Sequence, residues 1–313
     1  MTELNLTNPV EHYRRHSVVT DPGPHAALLR SLPHDVGELI DIIGGLFAHY
    51  QRDVLEKGLP LESHRKPEVD ARFARCILDH LLRHDARPLA EMRVFENRYI
   101  GTCRDAGILL CTILREHGIA ARVRYAFAPL MWQPHRPLSD HILVEYWSDA
   151  DQTWRYADAR LNRQLCDTHG ITVDRMNVPE SEFITAAQAW LASQRQRKAA
   201  FDLSGFAFDA AHGVWKARNI FMYDLASLAG WEPLLWDAWG YMMHTRPYVR
   251  PRGWFQFRYL NQLAKLDPRD PREWRLLIET YRKRGQVRVT DNIRSFSSVN
   301  GHQVVQLATP RAA

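Results

Sequence analysis

The chain has 313 residues, 45% of them hydrophobic, enough to bury a core for one large domain or two ordinary ones without disulfide or metal staples. Its formal charge is +5, from 41 basic and 36 acidic residues, and only six of the basic residues are lysine. The arginines are dispersed, and the densest runs, Arg195 to Lys198 and Arg269 to Arg288, are interleaved with Asp267, Asp270, Glu273 and Glu279 in the manner of solvated helix faces. That pattern argues against a nucleic-acid partner, while an acidic small molecule or carrier protein stays compatible with the charge.

Residues 1 to 90 read as an N-terminal helical lobe. Val36 to Leu55 and Val69 to Leu82 carry apolar residues at three- and four-residue spacing, punctuated by Pro33, Pro60, Pro67 and Pro88. The first twenty residues lack an apolar run after a basic start, and nowhere do eighteen apolar residues follow one another, so the expectation is a cytoplasmic protein with no membrane partner. Cys76, His80 and His84 lie on one helix face and invite a zinc reading. A rise of about 1.5 Å per residue puts the outer two about 12 Å apart, so no metal site and no cofactor is expected.

Residues 91 to 165 change period. Asp105 to His117 is an almost continuously apolar helix, with Gly118 as its C-cap. Val123, Tyr125 and Phe127 then alternate with Arg122, Arg124 and Ala126; Ile142, Val144 and Tyr146 alternate with His141, Leu143 and Glu145; Trp154 to Asp158 follows a polar turn. These are three strands, the last two a hairpin. Residues 166 to 294 read as a mostly helical C-terminal lobe with a Trp- and Asp-rich centre from Trp215 to Gly240, and 295 to 313 as a polar tail. That centre is either a core knitted by indole and carboxylate hydrogen bonds or a lobe that roofs a site.

The chemistry-bearing pattern is Cys103, followed at 38 and 55 residues by His141 and Asp158. Thr102 is placed as N-cap, with Asp105 as a short capping-box acid, so Cys103 takes the first helical position, where the unpaired amides and the dipole favour thiolate. The backbone N–H of Cys103 also serves as an oxyanion donor. A hairpin turning near residue 150 brings His141 and Asp158 within a residue or so of opposite each other, so the carboxylate fixes the ring and the ring takes the thiol proton. All four cysteines, Cys76, Cys103, Cys111 and Cys166, are expected as free thiols.

Gly101-Thr102-Cys103-Arg104-Asp105, Leu110 to Arg122, Asp140 to Trp147 and Trp154 to Asp158 together resemble the core of bacterial transglutaminase-like proteins. The resemblance implies an α+β, papain-like or transglutaminase-like core, with the helix carrying Cys103 packed on an antiparallel sheet and helical additions at both ends. It implies the triad Cys103, His141 and Asp158. The stretch from Trp215 to Gly240 is similar to the C-terminal part of a bacterial transglutaminase-like subfamily. In animal transglutaminases an upstream Trp helps line the oxyanion hole; none precedes Cys103 here, and Tyr99, Asn97 and His64 are alternatives for a second donor. Met131 and Trp132, in the Pro-punctuated loop before His141, together with Tyr99 and Asp140, are the expected substrate contacts.

The expected activity is acyl transfer from an amide, peptide or thioester through an acyl-thioester on Cys103, ending in hydrolysis or amine transfer. The partner is then a small-molecule, peptide or carrier-bound acyl substrate. The alternative is a catalytically silent scaffold of the same fold.

Overall fold

The computed structural model describes residues 6–133, 137–195, 213–243 and 252–307. Pro134 of the loop before His141, Gln196 to Lys198 of one arginine-rich run, and the last six residues lie outside them.

Helix α1 (Val36–Leu46) starts where the Asp35 carboxylate accepts the Glu38 N–H. The helical pattern running to Leu55 is not followed. After Gly44 and Gly45 the chain turns into strand β1 (Phe47–His49) and a π-helical stretch, Tyr50–Leu55. Paired glycines weaken a helix, and these two are needed as they stand: a Cβ on Gly44 would lie 2.1 Å from the Asn162 amide. Strand β1 pairs in parallel with β2 (Tyr99–Gly101), setting His49 beside Gly101. Helix α2 (Ala74–His84) begins later than the periodicity suggests, because Val69 ends a separate short helix, Lys66–Val69.

Helix α3 (Cys103–Glu116) is buried from Cys103 to Arg115 and closes at Gly118, whose φ of +74° suits glycine. It packs on an antiparallel sheet of β3 (Ala121–Pro129), β4 (Leu138–Ser148), β5 (Thr153–Ala157) and β6 (Ile184–Thr185), in the order β5-β4-β3-β6. The approach is close: a Cβ on Gly107 would meet Ile142 Cγ2 at 2.8 Å. With Gly107 against Ile142, the preceding helical turn, which holds Cys103, lies at the start of β4, where Asp140 and His141 sit. The α+β arrangement of a cysteine-bearing helix on an antiparallel sheet is thus present.

The polar residues of β3 are not solvated. Arg122 and Arg124 are buried and share the Glu145 carboxylate at 2.7 and 2.5 Å, with Arg269 on its other oxygen at 2.6 Å. Arg124 also forks onto Asp224, at 2.9 Å through each nitrogen. Asp224 belongs to helix α4 (Val214–Leu228), buried from Lys216 onward, whose Ser227 hydroxyl donates to the Val123 carbonyl at 2.6 Å. A bidentate guanidinium–carboxylate pair with its charges removed from water fixes α4 on the sheet.

The helical lobes do not keep separate cores. One apolar cluster runs from Tyr13 to Leu307, and Tyr13, whose hydroxyl donates to the Leu228 carbonyl, accepts from Trp274 Nε1 at 2.9 Å on helix α5 (Pro271–Arg282). The segment expected as a tail forms a hairpin instead: β8 (Asn292–Ser297) pairs with β9 (Gly301–Gln306) and with β7 (Asp237–Ala238). In β8 Ile293, Ser295 and Ser297 are buried alternately with exposed residues, and Ile293 joins the core. No helix among the described residues is long and apolar enough to cross a membrane.

Candidate active site

The loop before Cys103 is shaped by the capping box expected of it. The Thr102 N–H donates to Asp105 Oδ2 at 2.7 Å and the Thr102 hydroxyl to the same oxygen at 3.1 Å, leaving Cys103 as the first residue of α3. Gly101 is obligatory, since a Cβ there would stand 2.6 Å from that carboxylate. Arg104, fully buried, donates to Asp105 and to the carbonyls of Ala71, Arg72 and Glu232, so one guanidinium ties the start of α3 to segments before and after it in the chain.

The imidazole–carboxylate end is saturated. His141 Nε2 lies 2.7 Å from Asp158 Oδ2, and Trp132 Nε1 donates to the same oxygen at 2.7 Å. The Arg160 N–H donates to Oδ1 at 2.8 Å. The pairing register sets Ser148 opposite Thr153, which puts Asp158 opposite Leu143 and makes the His141 contact a diagonal one, two residues from directly opposite where a residue or so was expected. Burial pushes the Asp158 carboxyl up, but the charge and hydrogen bond of His141, with the Arg160 and Trp132 donors, outweigh it and hold it below the usual carboxylate range. Because Nε2 is engaged, Nδ1 is the nitrogen of His141 that remains for the thiol.

The sulfur end is different. Cys103 is 7% exposed, and its Sγ makes no hydrogen bond among the described residues. Burial pushes the thiol up to about 12; Asp140 and Asp158 add to this and Arg160 opposes it. Desolvation and the carboxylates of Asp140, Asp158 and Asp105 thus oppose the thiolate expected at the helix start and favour the neutral thiol.

The remaining expected contacts separate. Tyr99 is buried, its hydroxyl donating to the Glu68 carbonyl, so its side chain supports the N-terminal segment and does not line the cavity of Cys103. His64 is exposed beside Glu62, and Asn97 ends a 3-10 turn away from the thiol's cavity. Trp132 is buried behind the His141 ring, edge-on at 5.6 Å, in the role of a carboxylate donor. Met131 and Trp132 both take left-handed φ, 57° and 54°, a strained turn that aims the indole back at Asp158. The Met131 sulfur lies 3.4 Å from Arg52 Nη1. Asp140 does line the cavity of Cys103, where it pairs with Lys216 at 3.0 Å.

His49 is a residue that sequence reasoning missed. It lines the same cavity as Cys103, and its Nδ1 accepts the Arg52 N–H at 3.4 Å, which leaves the ring proton on Nε2. Burial, then Arg160 and Arg52, hold it well below the usual imidazole range, so the ring is neutral. No local pattern marks it, since its place depends on a parallel pairing with a strand fifty residues away.

Glu68, His80 and His84 bring three ligand atoms within 4.8 Å of one another, the nearest approach to a metal cluster among the described residues. Cys76 is not part of it. The Glu68 carboxylate already accepts Arg65 at 2.8 and 2.9 Å, the Ile100 N–H and His84, so a cation would have to displace a guanidinium, and the group reads as a structural network.

Residues 71–159 match the family model of the transglutaminase-like superfamily core. No curated protein matches the chain. Among solved structures, one matches that is named "a Putative Cysteine Protease from Cytophaga hutchinsonii", with 12% identity, a TM-score of 0.33, and coverage of 59% of this chain and 48% of that one. The present chain thus spans about half the length of that structure.

Proposed function

Since the chain contains a transglutaminase-like superfamily domain over residues 71–159, we propose that it is a cysteine-dependent acyl-transfer enzyme acting on an amide, peptide or thioester. The observation that carries this reading is the His141–Asp158 pair, closed at 2.7 Å and backed by Trp132 and Arg160, with Asp140, the residue before His141, lining the same cavity as Cys103.

As the substrate carbonyl is seated, the Cys103 thiol passes its proton to Nδ1 of His141 and the sulfur bonds to the carbonyl carbon. The carbonyl π pair moves onto oxygen, where the Cys103 N–H and His49 Nε2–H are the two donors this reading assigns. Asp158 balances the imidazolium that forms. The oxyanion then collapses, the bond to nitrogen or sulfur of the leaving group breaks, and His141 returns the proton to it. Water or an amine, deprotonated by the same ring, resolves the acyl-thioester to acid or to amide. The resting thiol is neutral, so proton transfer accompanies attack and no thiolate–imidazolium pair is stored beforehand.

The test is intact mass after incubation with an activated acyl thioester. A single acyl adduct is expected, mapping to Cys103 and absent from Cys103→Ala. In the absence of substrate, iodoacetamide labelling of Cys103 should rise about tenfold per pH unit from pH 7 to 10 without levelling, because the thiolate fraction keeps growing below a value of about 12. Adducts spread evenly over all four thiols would overturn the reading, and a labelling plateau near pH 7 would overturn the neutral resting thiol.

A further inference from the structure

The cavity that reaches Cys103 has a volume of about 540 Å³, within the range of small-molecule sites. His49, Asp140 and Lys216 share its lining with Cys103, as do Gln51, Arg218 and Asn219. Its apolar wall is formed by Trp215, Tyr223, Leu235, Trp236, Met242 and Phe296. None of these six lies within the residues that match the family model, 71–159; they come from α4, the segment after it, and the β8–β9 hairpin. The wall is held by interactions of its own. Tyr223 donates to the Asp237 carbonyl at 2.6 Å, and the Phe296 N–H donates to the Trp236 carbonyl at 2.9 Å.

The charged groups of the lining do not ask for a charged ligand. Lys216 is matched by Asp140 at 3.0 Å, Arg218 donates to Asn219 Oδ1 at 2.9 and 3.1 Å and lies over the Trp215 ring, and Asp237 accepts from Arg72 at 2.7 Å and from the Leu234 N–H at 3.1 Å. A ligand ion there would have to compete with buried partners already in place. An aromatic side wall, by contrast, gains from covering apolar surface of the ligand and offers ring faces to stack on.

We propose that this cavity is the acyl-binding site and that it selects an uncharged, bulky apolar acyl group, aromatic or medium-chain aliphatic, whose carbonyl carbon lies at Cys103. This rests on the acyl-transfer reading above and adds the substrate class to it. In that arrangement the family segment performs the bond exchange, and the C-terminal residues choose which acyl group is exchanged.

The experiment uses the full chain and three thioesters of N-acetylcysteamine, carrying acetyl, phenylacetyl and octanoyl groups, with acylation of Cys103 followed by intact mass. Phenylacetyl and octanoyl should react at least tenfold faster than acetyl. Leu235→Trp, which fills the cavity, should lower the octanoyl and phenylacetyl rates at least tenfold more than the acetyl rate, removing that preference. Phe296 is 37% exposed, so Phe296→Ala leaves the fold intact and should lower the octanoyl preference severalfold. Acylation by all three thioesters at one rate, or a preference that neither substitution moves, would overturn this pocket while sparing the nucleophile. Absence of any adduct, acetyl included, would remove the nucleophile and the pocket together.

Discussion

Two regions meet at Cys103, and they are built in opposite ways. The reacting side, from Gly101 to Arg160, is assembled from short-range devices: a capping box three residues long, a hairpin with a polar turn, and a carboxylate that accepts the N–H two residues ahead of it. The wall facing it, from Trp215 to Phe296, is held by long-range pairs such as Arg124 with Asp224, Arg72 with Asp237, and Tyr125 with the Pro233 carbonyl. The two sides are joined by buried guanidinium groups, Arg104 reaching the Glu232 carbonyl and Arg124 reaching Asp224. In energetic terms the contrast is between groups held by local backbone geometry and groups held by buried charge.

That contrast can be broken from either side. The largest effect is expected from His141→Ala, which removes the proton acceptor: acylation of Cys103 by any thioester should fall about 10³-fold, with the ranking of acyl groups unchanged. A changed ranking would mean that the reacting side also sets specificity. Next, Arg124→Met leaves Glu145 and Asp224 without a shared buried partner and should cost about 3–5 kcal/mol of unfolding free energy, read from urea melts. Its acyl preference should weaken more than its acetyl rate, because α4 carries part of the wall. If the preference survives intact, α4 does not depend on that clamp. The smallest effect is expected from Trp132→Phe, which keeps the ring behind His141 but loses the donor to Asp158. About one kcal/mol of support for the carboxylate should go, lowering acylation roughly fivefold without shifting the melting curve by more than a few degrees.

What could be read from the residues follows the same division. The N-cap at Thr102, the place of Cys103 at the first turn, the C-cap at Gly118 and the β4–β5 hairpin each depend on neighbours a few residues away, and each stands as the pattern indicates. The register, read as placing His141 and Asp158 within a residue or so of opposite each other, makes their contact a diagonal one, because the turn sets Ser148 opposite Thr153. The alternation of Arg122 and Arg124 with apolar residues marks a strand but says nothing of where its polar face lies. That face is buried because α4 and Glu145 bring compensating carboxylates from elsewhere in the chain.

By itself the sequence determined the helix that carries the sulfur, the strands that carry the imidazole and its acid, and their order, since capping, alternation and turn chemistry act within one or two turns of chain. Tertiary structure alone decided that burial opposes the thiolate, that His49 lines the same cavity, that Trp132 backs the carboxylate, and that aromatic residues over a hundred positions downstream wall that cavity. Those outcomes depend on which charges and surfaces the folded chain brings together and removes from water, a quantity that no window of neighbouring residues contains.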